Sequence, residues 1–517
     1  MKKLLAAIVT LAITISCLSV VCFAEAETAN DASATDTKTV ASLVGAYYMQ
    51  GECGTGDIPG GAEYTTDYDY TIADQLAKVL DGTDRVPYYA YTRNNALHFD
   101  RFSKTVLINE IDLAAAAGVD FIAYRYYSGI GKNGTIRSAL SLMNAQFKQH
   151  VSAYTQAVGF AKPVKFCAVI DSDFYANKDA TYLLNDYMLQ KGYLTAEDGR
   201  PVVFILWSDA ATVKDQVDII NKKFGNAVKN GHDESKKNSV ETIYPIEIQT
   251  AYFVALNAPS YAAATAAGCE AISWYSGSGS NGEAYADMVA RVEEKWASND
   301  ANVIPNVVTG FDKSVLAGKT IKVDGMLKYY DDEATSVRYQ LSGKESDKVA
   351  KATAEELVAH VKKAVETTNK PTNLAATMIY AWDDFAGGAY LCPTKTANEY
   401  QYEYSYLKAL RNYFYGNTNL PAVKFMTDGD ADYKFICTDI NGNVFKYDWD
   451  EKLVAKLDAQ GNPIVDATPT PVPEEENSGT DMTLYIAIAA GAVVVIAVVV
   501  IIIVVASKKK KSAGAAE

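Results

Sequence analysis

Cysteine and histidine are scarce in this chain, seven and four among 517 residues. Cys17 and Cys22 fall in an apolar leader, which leaves Cys53, Cys167, Cys269, Cys392 and Cys437. So odd and widely spaced a set excludes a disulfide framework and a thiolate zinc site. Cys167 and Cys269 sit in apolar runs and read as core residues. His98, His150, His232 and His360 show no metal-ligand spacing, and no Ser/His/Asp arrangement accompanies them. The sequence therefore calls for no metal and no cofactor. Basic charge is also short: Lys and Arg number 48 against 63 Asp and Glu, a net charge of -15. A phosphate backbone demands a basic footprint, so nucleic acid is excluded as a partner, as is docking on anionic lipid. What is abundant is tyrosine, 35 against 17 phenylalanines, so many rings carry a polar handle.

The two ends carry address signals. Met1-Lys2-Lys3 precedes an apolar run, Leu4 to Phe23, that closes on the small residues Ala24 and Ala26. A basic start, an apolar middle and a small-residue exit predict a secretory leader over 1–24, followed by an Ala/Thr/Asp-rich spacer over 25–41. Near the other end, Leu484 to Ala506 runs 23 residues without a charge. At about 1.5 Å per residue it spans a ~30 Å hydrocarbon core, so a single transmembrane helix is expected over 483–506. Lys508 to Lys511 follow it, and Glu474 to Glu476 and Asp481 precede it. Positive charge stays inside, which predicts a cell-membrane protein with its body outside and a cytoplasmic tail over 507–517. Pro469, Pro471 and Pro473 among three glutamates predict a stiff stalk over 467–482.

Between these ends, strands alternate with helices. Strands are expected at Leu43–Tyr48, Val119–Tyr124, Val164–Ile170, Val202–Leu206, Ile243–Gln249, Ala271–Tyr275, Val303–Val308 and Ala376–Ala381, with a further extended piece at Val86–Tyr91. Helices are expected at 72–80, 105–117, 136–158, 181–190, 211–224, 261–267, 284–296, 354–367 and 400–413. Gly118 and Gly268 stand as helix stops. Alternation of this kind implies a parallel sheet, and eight strands close into a barrel more readily than they stay open. The expected fold is therefore an α/β (β/α)8 TIM-type barrel over 42–418. An open doubly wound sheet is the alternative, weakened by the lack of a glycine-rich phosphate loop after the first strand.

Residues 419–466 change period to two, with turns at Asp428-Gly429, Asn441-Gly442 and Gln460-Gly461, and predict a small C-terminal β appendage. Asp428, Asp430, Asp432 and Asp439 are spaced like the start and end of a calcium loop. Tyr433 takes the central glycine's place, so hairpin turns are the reading adopted.

In such a barrel, chemistry gathers where the strands end. Those ends supply Tyr47 and Tyr48; Arg125, Tyr126 and Tyr127; Asp171 and Asp173; Trp207 and Asp209; Gln249 and Tyr252; Trp274 and Tyr275; Thr309 and Asp312; and Trp382, Asp383 and Asp384. Taken singly, an aromatic here packs as a core lid, Asp171 and Asp209 serve as helix caps, and Arg125 pairs with an acid. Together, rings and carboxylates at every end suit a sugar, whose C–H faces stack on rings and whose hydroxyls need acceptors. Glycoside hydrolysis needs two carboxylates across the scissile bond. Asp383 and Asp384 are neighbours on an extended segment and point to opposite faces, so a partner is needed from Asp312, Asp173, Glu247 or Glu283.

Four segments carry a family resemblance. They are Val44-Gly-Ala-Tyr-Tyr48, Glu110 to Tyr124, Pro305 to Asp312, and Ala381-Trp-Asp-Asp-Phe-Ala-Gly-Gly-Ala-Tyr-Leu391. From about Leu43 to Tyr413 the chain resembles the family-99-like glycoside hydrolases, the endo-α-mannosidases and WbsX-like proteins. The resemblance implies a (β/α)8 barrel that processes α-glycans of mannan type. The family pattern Ala-Trp-Asn-Glu-Trp-x-Glu-Gly carries two working glutamates. Here the first position is Asp384 and the second, the general acid/base, is Gly387. The expectation is a membrane-anchored protein acting on an oligo- or polysaccharide, with Asp384, Asp383 and Asp312 as the acidic set. Tyr48, Arg125, Tyr126, Asp171, Asp173, Trp207, Trp274 and Trp382 are its expected sugar contacts. The alternative is a surface protein that binds glycan without cleaving it.

Overall fold

The computed structural model describes residues 38–464 apart from internal stretches, of which 50–76, 127–143 and 323–339 are the longest. The leader, most of the spacer and of the helix expected at 72–80, Asp173, the acidic turn at Asp428–Asp432, the stalk and the apolar run at 484–506 lie outside the described residues. Among the described residues, no helix is long and apolar enough to cross a membrane. The chain divides into two compact units at Pro463, and all the elements named below belong to the first.

Eight parallel strands form its centre: β1 (Leu43–Tyr48), β2 (Phe121–Arg125), β3 (Lys165–Ile170), β4 (Val202–Leu206), β5 (Tyr252–Leu256), β6 (Ala271–Ser273), β7 (Asn306–Val308) and β8 (Ala376–Tyr380). The ladder runs β6-β5-β4-β3-β2-β1-β8-β7. A parallel bridge between Ile272 and Val303, with Ile304 N–H donating to the Ile272 carbonyl at 2.9 Å, joins the two ends. The sheet is thus an eight-stranded, nearly closed barrel of TIM type. The strands are near-continuous apolar runs buried on both faces, as a parallel sheet covered by helices requires.

Among the described residues eight helices interleave: α1 (Lys104–Ala116), α2 (Ala145–Gln156), α3 (Ala176–Leu183), α4 (Ala210–His232), α5 (Tyr261–Ala266), α6 (Tyr285–Ala297), α7 (Ala354–Thr367) and α8 (Ser405–Tyr415). Gly118 and Gly268 follow α1 and α5 with φ of +89° each, the left-handed turn that glycine takes without strain. Asp209 caps α4, its carboxylate accepting from the Ala211 and Thr212 N–H groups at 3.0 and 2.9 Å. Thr353 and Glu356 form a reciprocal capping box on α7.

Two expectations need correction. The fifth strand is Tyr252–Leu256, not Ile243–Gln249. The earlier segment alternates in polarity, but Pro245 interrupts it and Ile243 and Ile246 are exposed, whereas Tyr-Phe-Val-Ala-Leu is wholly buried. Tyr252 therefore begins its strand, far from the mouth, and Gln249 precedes it. Helix α4 also runs eight residues past Phe224, to His232. Its apolar face continues through Ala227 and Val228, both buried.

The barrel interior is tightly filled. A Cβ at Gly45 would lie 2.3 Å from the Phe121 ring and 2.8 Å from Met378 Sδ. A four-stranded antiparallel sheet, β9 (Val423–Met426), β10 (Phe435–Thr438), β11 (Val444–Tyr447) and β12 (Leu453–Leu457), follows α8 in simple up-and-down order.

Candidate active site

The segment after β8 folds back on itself at once. Asp383–Asp384 pairs antiparallel with Ala389–Tyr390, and a turn from Phe385 to Gly388 joins them. Gly388 has φ +69°, and a Cβ there would lie 2.8 Å from Asp312 N. Asp312 N–H donates to the Gly387 carbonyl at 2.6 Å, so the loops after β7 and β8 meet backbone to backbone. Glycines stand where the approach is too close for a side chain.

The two adjacent acids part company. Asp383 is fully buried and its Oδ1 accepts from Met49 N–H at 2.7 Å, which pins the end of β1 to the end of β8. Asp384 faces the mouth, half-buried. Tyr380 Oη donates to its Oδ2 at 2.7 Å and Gly387 N–H donates to its Oδ1 at 2.8 Å. Burial pushes its carboxyl above the usual carboxylate range; the two donors, with the Lys313 and Arg85 charges, oppose that rise.

Gly387 acquires a specific meaning. A Cβ at this position would lie 2.2 Å from Asp384 Oδ2 and 2.8 Å from Oδ1. The Asp384 carboxylate thus occupies the space into which a side chain at 387 would project. A glutamate at 387 and this placement of Asp384 exclude one another.

Asp312 is tied down. Arg85 forms an ion pair with its Oδ2 and donates to its backbone carbonyl at 2.6 Å, while Ser314 N–H donates to its Oδ1 at 2.8 Å. Both oxygens serve loop structure. On the far side of the mouth Arg125, at the end of β2, pairs with Asp171, just past β3. The Arg125 guanidinium lies 5.8 Å from the Tyr275 ring centre, within cation–π reach. Tyr275 packs edge-on against Tyr47 and Tyr380, with centroids 5.0 and 5.2 Å away. These contacts make one continuous patch from Asp171 through Arg125, Tyr275 and Tyr380 to Asp384.

The expected sugar platforms divide. Trp207 is half-buried at the end of β4. Tyr48 and Trp382 are each about 1% exposed, so neither offers a face to a ligand. Their polar atoms turn to a buried carboxylate on α1: Tyr48 Oη donates to Glu110 Oε2 at 2.9 Å and Trp382 Nε1 to Oε1 at 3.0 Å. Tyr126 and Trp274 are buried as well, and Tyr126 Oη donates to Asp179 at 3.3 Å. These four rings are packing residues because the apolar layer between strands and helices extends up to the strand ends.

Residue-by-residue reading missed Glu110, Arg85 and Tyr380. Glu110 lies on an otherwise apolar helix face, a pattern break that marks a buried acid needing donors. Nothing local distinguishes Arg85. Tyr380 reads as one more strand residue until the turn brings Asp384 over it. Among the described residues no group of three or more His, Cys, Asp or Glu side chains is placed to hold a metal ion.

No family model matches the chain, and no curated relative matches its sequence. Among solved structures it is similar to the GH99 endo-α-mannosidase from Bacteroides thetaiotaomicron. Two structures of that enzyme, one in complex with BIS-TRIS-propane, match at 13% identity over 72% of this chain and 97% of the other, with TM-scores of 0.39 and 0.38. An endo-β1,6-glucanase matches at 12% identity over 79% of this chain and 85% of the other, with a TM-score of 0.29. At these values the likeness says nothing of this chain's own chemistry.

Proposed function

We propose that the barrel binds a glycan across its mouth and hydrolyses a glycosidic bond, with Asp384 protonating the leaving oxygen. The observation that carries this reading is the state of Asp384. Burial pushes this mouth carboxyl upward, two donors orient it, and the half-buried Tyr275 packs beside its partner Tyr380. A general acid must hold its proton near working pH, and partial burial is the usual means. The Arg125–Asp171 ion pair supplies the second carboxylate, for the water or the sugar. Asp383 and Asp312 hold the loops that present Asp384. The resemblance of the four segments to family-99-like hydrolases favours α-linked mannose glycans, and the apolar run at 484–506 would hold the barrel at the cell surface.

The test is release of reducing ends from α-mannan oligosaccharides by wild type and Asp384→Asn. The variant is expected to lose about 10²- to 10⁴-fold in rate, the usual scale for a general acid, with its melting temperature nearly unchanged. Full activity in Asp384→Asn moves the chemistry elsewhere. A second reading, glycan binding without cleavage, is favoured by the occupation of the Gly387 space by Asp384. Oligosaccharide binding by wild type with no product over long incubation selects it.

A further inference from the structure

Asp384 belongs to a two-residue arm of a short hairpin, a poor platform for fixing a catalytic carboxyl. Tyr380 is a different matter. It is the last residue of β8, paired in register with Val308 of β7. Its carbonyl accepts from Thr309 N–H at 3.0 Å and from Thr309 Oγ1 at 3.2 Å. Its ring lies among Tyr47 and Tyr275, at 6.1 and 5.2 Å between centroids. Tyr47 and Tyr275 thus flank this ring while the end of β7 holds its backbone, and its hydroxyl is placed by the barrel rather than by the loop.

From that fixed position Tyr380 Oη donates to Oδ2 of Asp384, while Gly387 N–H donates to Oδ1. Two donors on different oxygens set the plane of the carboxyl as well as its position. The missing side chain at 387 is what lets the carboxyl lie there.

We propose that Tyr380 is a positioning residue, whose barrel-anchored hydroxyl holds the Asp384 carboxyl in the orientation from which it serves a sugar bound in the mouth. The proposal rests on the reading of Asp384 as the proton donor. It has a consequence that mere packing lacks. A hydroxyl donating to a carboxyl favours the ionised form, so it restrains the upward push of burial. The other groups acting on Asp384 are Lys313 and Arg85, the latter already paired with Asp312; Tyr275 lies beyond Tyr380. Tyr380→Phe keeps the ring and removes the donor alone. The carboxyl then holds its proton to higher pH, but in a less defined orientation.

The experiment is a titration of the full-length protein carrying ¹³C-labelled aspartate, with the Asp384 signal identified by its loss in Asp384→Asn. The pH profile of glycan hydrolysis is measured beside it. Tyr380→Phe is expected to raise the Asp384 midpoint by about one pH unit. The alkaline limb of the rate profile should move up by the same amount, and kcat should fall while KM stays near the wild-type value. Tyr275→Phe, which removes a hydroxyl bonded to Met49 rather than to Asp384, is expected to leave the midpoint in place. An active wild type whose Tyr380→Phe variant keeps both midpoint and limb overturns this proposal alone. A wild type that releases no product overturns the proton-donor reading and this proposal with it, whatever the midpoint does.

Discussion

The acid pair after β8 shows how little a residue's type decides by itself. Asp383 and Asp384 are chemically alike and covalently adjacent, yet one is a buried clamp on Met49 and the other a mouth carboxyl. Period-two geometry made that divergence legible in the sequence, because neighbours on an extended segment face opposite ways. The meaning of Gly387 was not legible, since the atom that excludes a side chain there belongs to Asp384 after the turn has closed. Gly387→Ala should therefore drive the Asp384 carboxyl off its two donors, at a cost of about 1–3 kcal/mol in lost hydrogen bonds. Turnover is expected to fall as far as in Asp384→Asn while the barrel still folds, and rate assays beside thermal melting check both halves. Gly387→Glu is expected to lose turnover in the same way, since its side chain would meet the Asp384 carboxyl.

Among the elements, helices α2 and α7 each bury a histidine against the barrel. His150 is bonded on both ring nitrogens, 2.9 Å from Tyr124 Oη and 2.9 Å from the Val164 carbonyl oxygen. His360 stacks on Trp296 of α6 with centroids 5.4 Å apart. Burial pushes His150 down to about 3 and His360 to about 4. Both stay neutral in the fold at pH values where the unfolded chain takes up protons. Their contribution is therefore complete above about pH 6.5, and is lost as pH falls toward 4 for His360 and toward 3 for His150. At pH 5 the loss comes to about 2 kcal/mol for each, from about 1.4 kcal/mol per pH unit. Thermal melting between pH 7.5 and 5 should show this loss, and His150→Gln should flatten the slope. Apolar faces made these helices legible in the sequence. The fifth strand went to the wrong segment, because an alternating run around Pro245 looked more like a strand than the fully apolar Tyr252–Leu256 beside it.

For the molecule as a whole, the two long apolar runs predict where the barrel works. Protease added to intact cells is expected to degrade the barrel while sparing a fragment that carries Lys508 to Lys511. Truncation before Leu484 is expected to release the barrel into the medium. Retention of the truncated chain inside the cell would contradict the leader, and its retention on the cell surface would contradict the anchor. The acidic net charge disfavours contact with anionic lipid.

The rhythm of buried strands with intervening helices, seven of the eight strands in place, was legible in the sequence alone, because hydrophobic periodicity is local and a parallel sheet covered on both faces leaves one kind of trace. So were the scarcity of metal ligands and the crowding of acids and tyrosines at strand ends. Which of those residues meet was decided only by the closed barrel. Trp382 and Tyr48 turned to Glu110 on α1, 272 and 62 positions away along the chain. Asp312 was taken by Arg85, and Asp384 came to rest on Gly387 and Tyr380. Burial and hydrogen-bond partnership are properties of neighbours in space, and closure of a barrel brings together residues that no spacing along the chain connects.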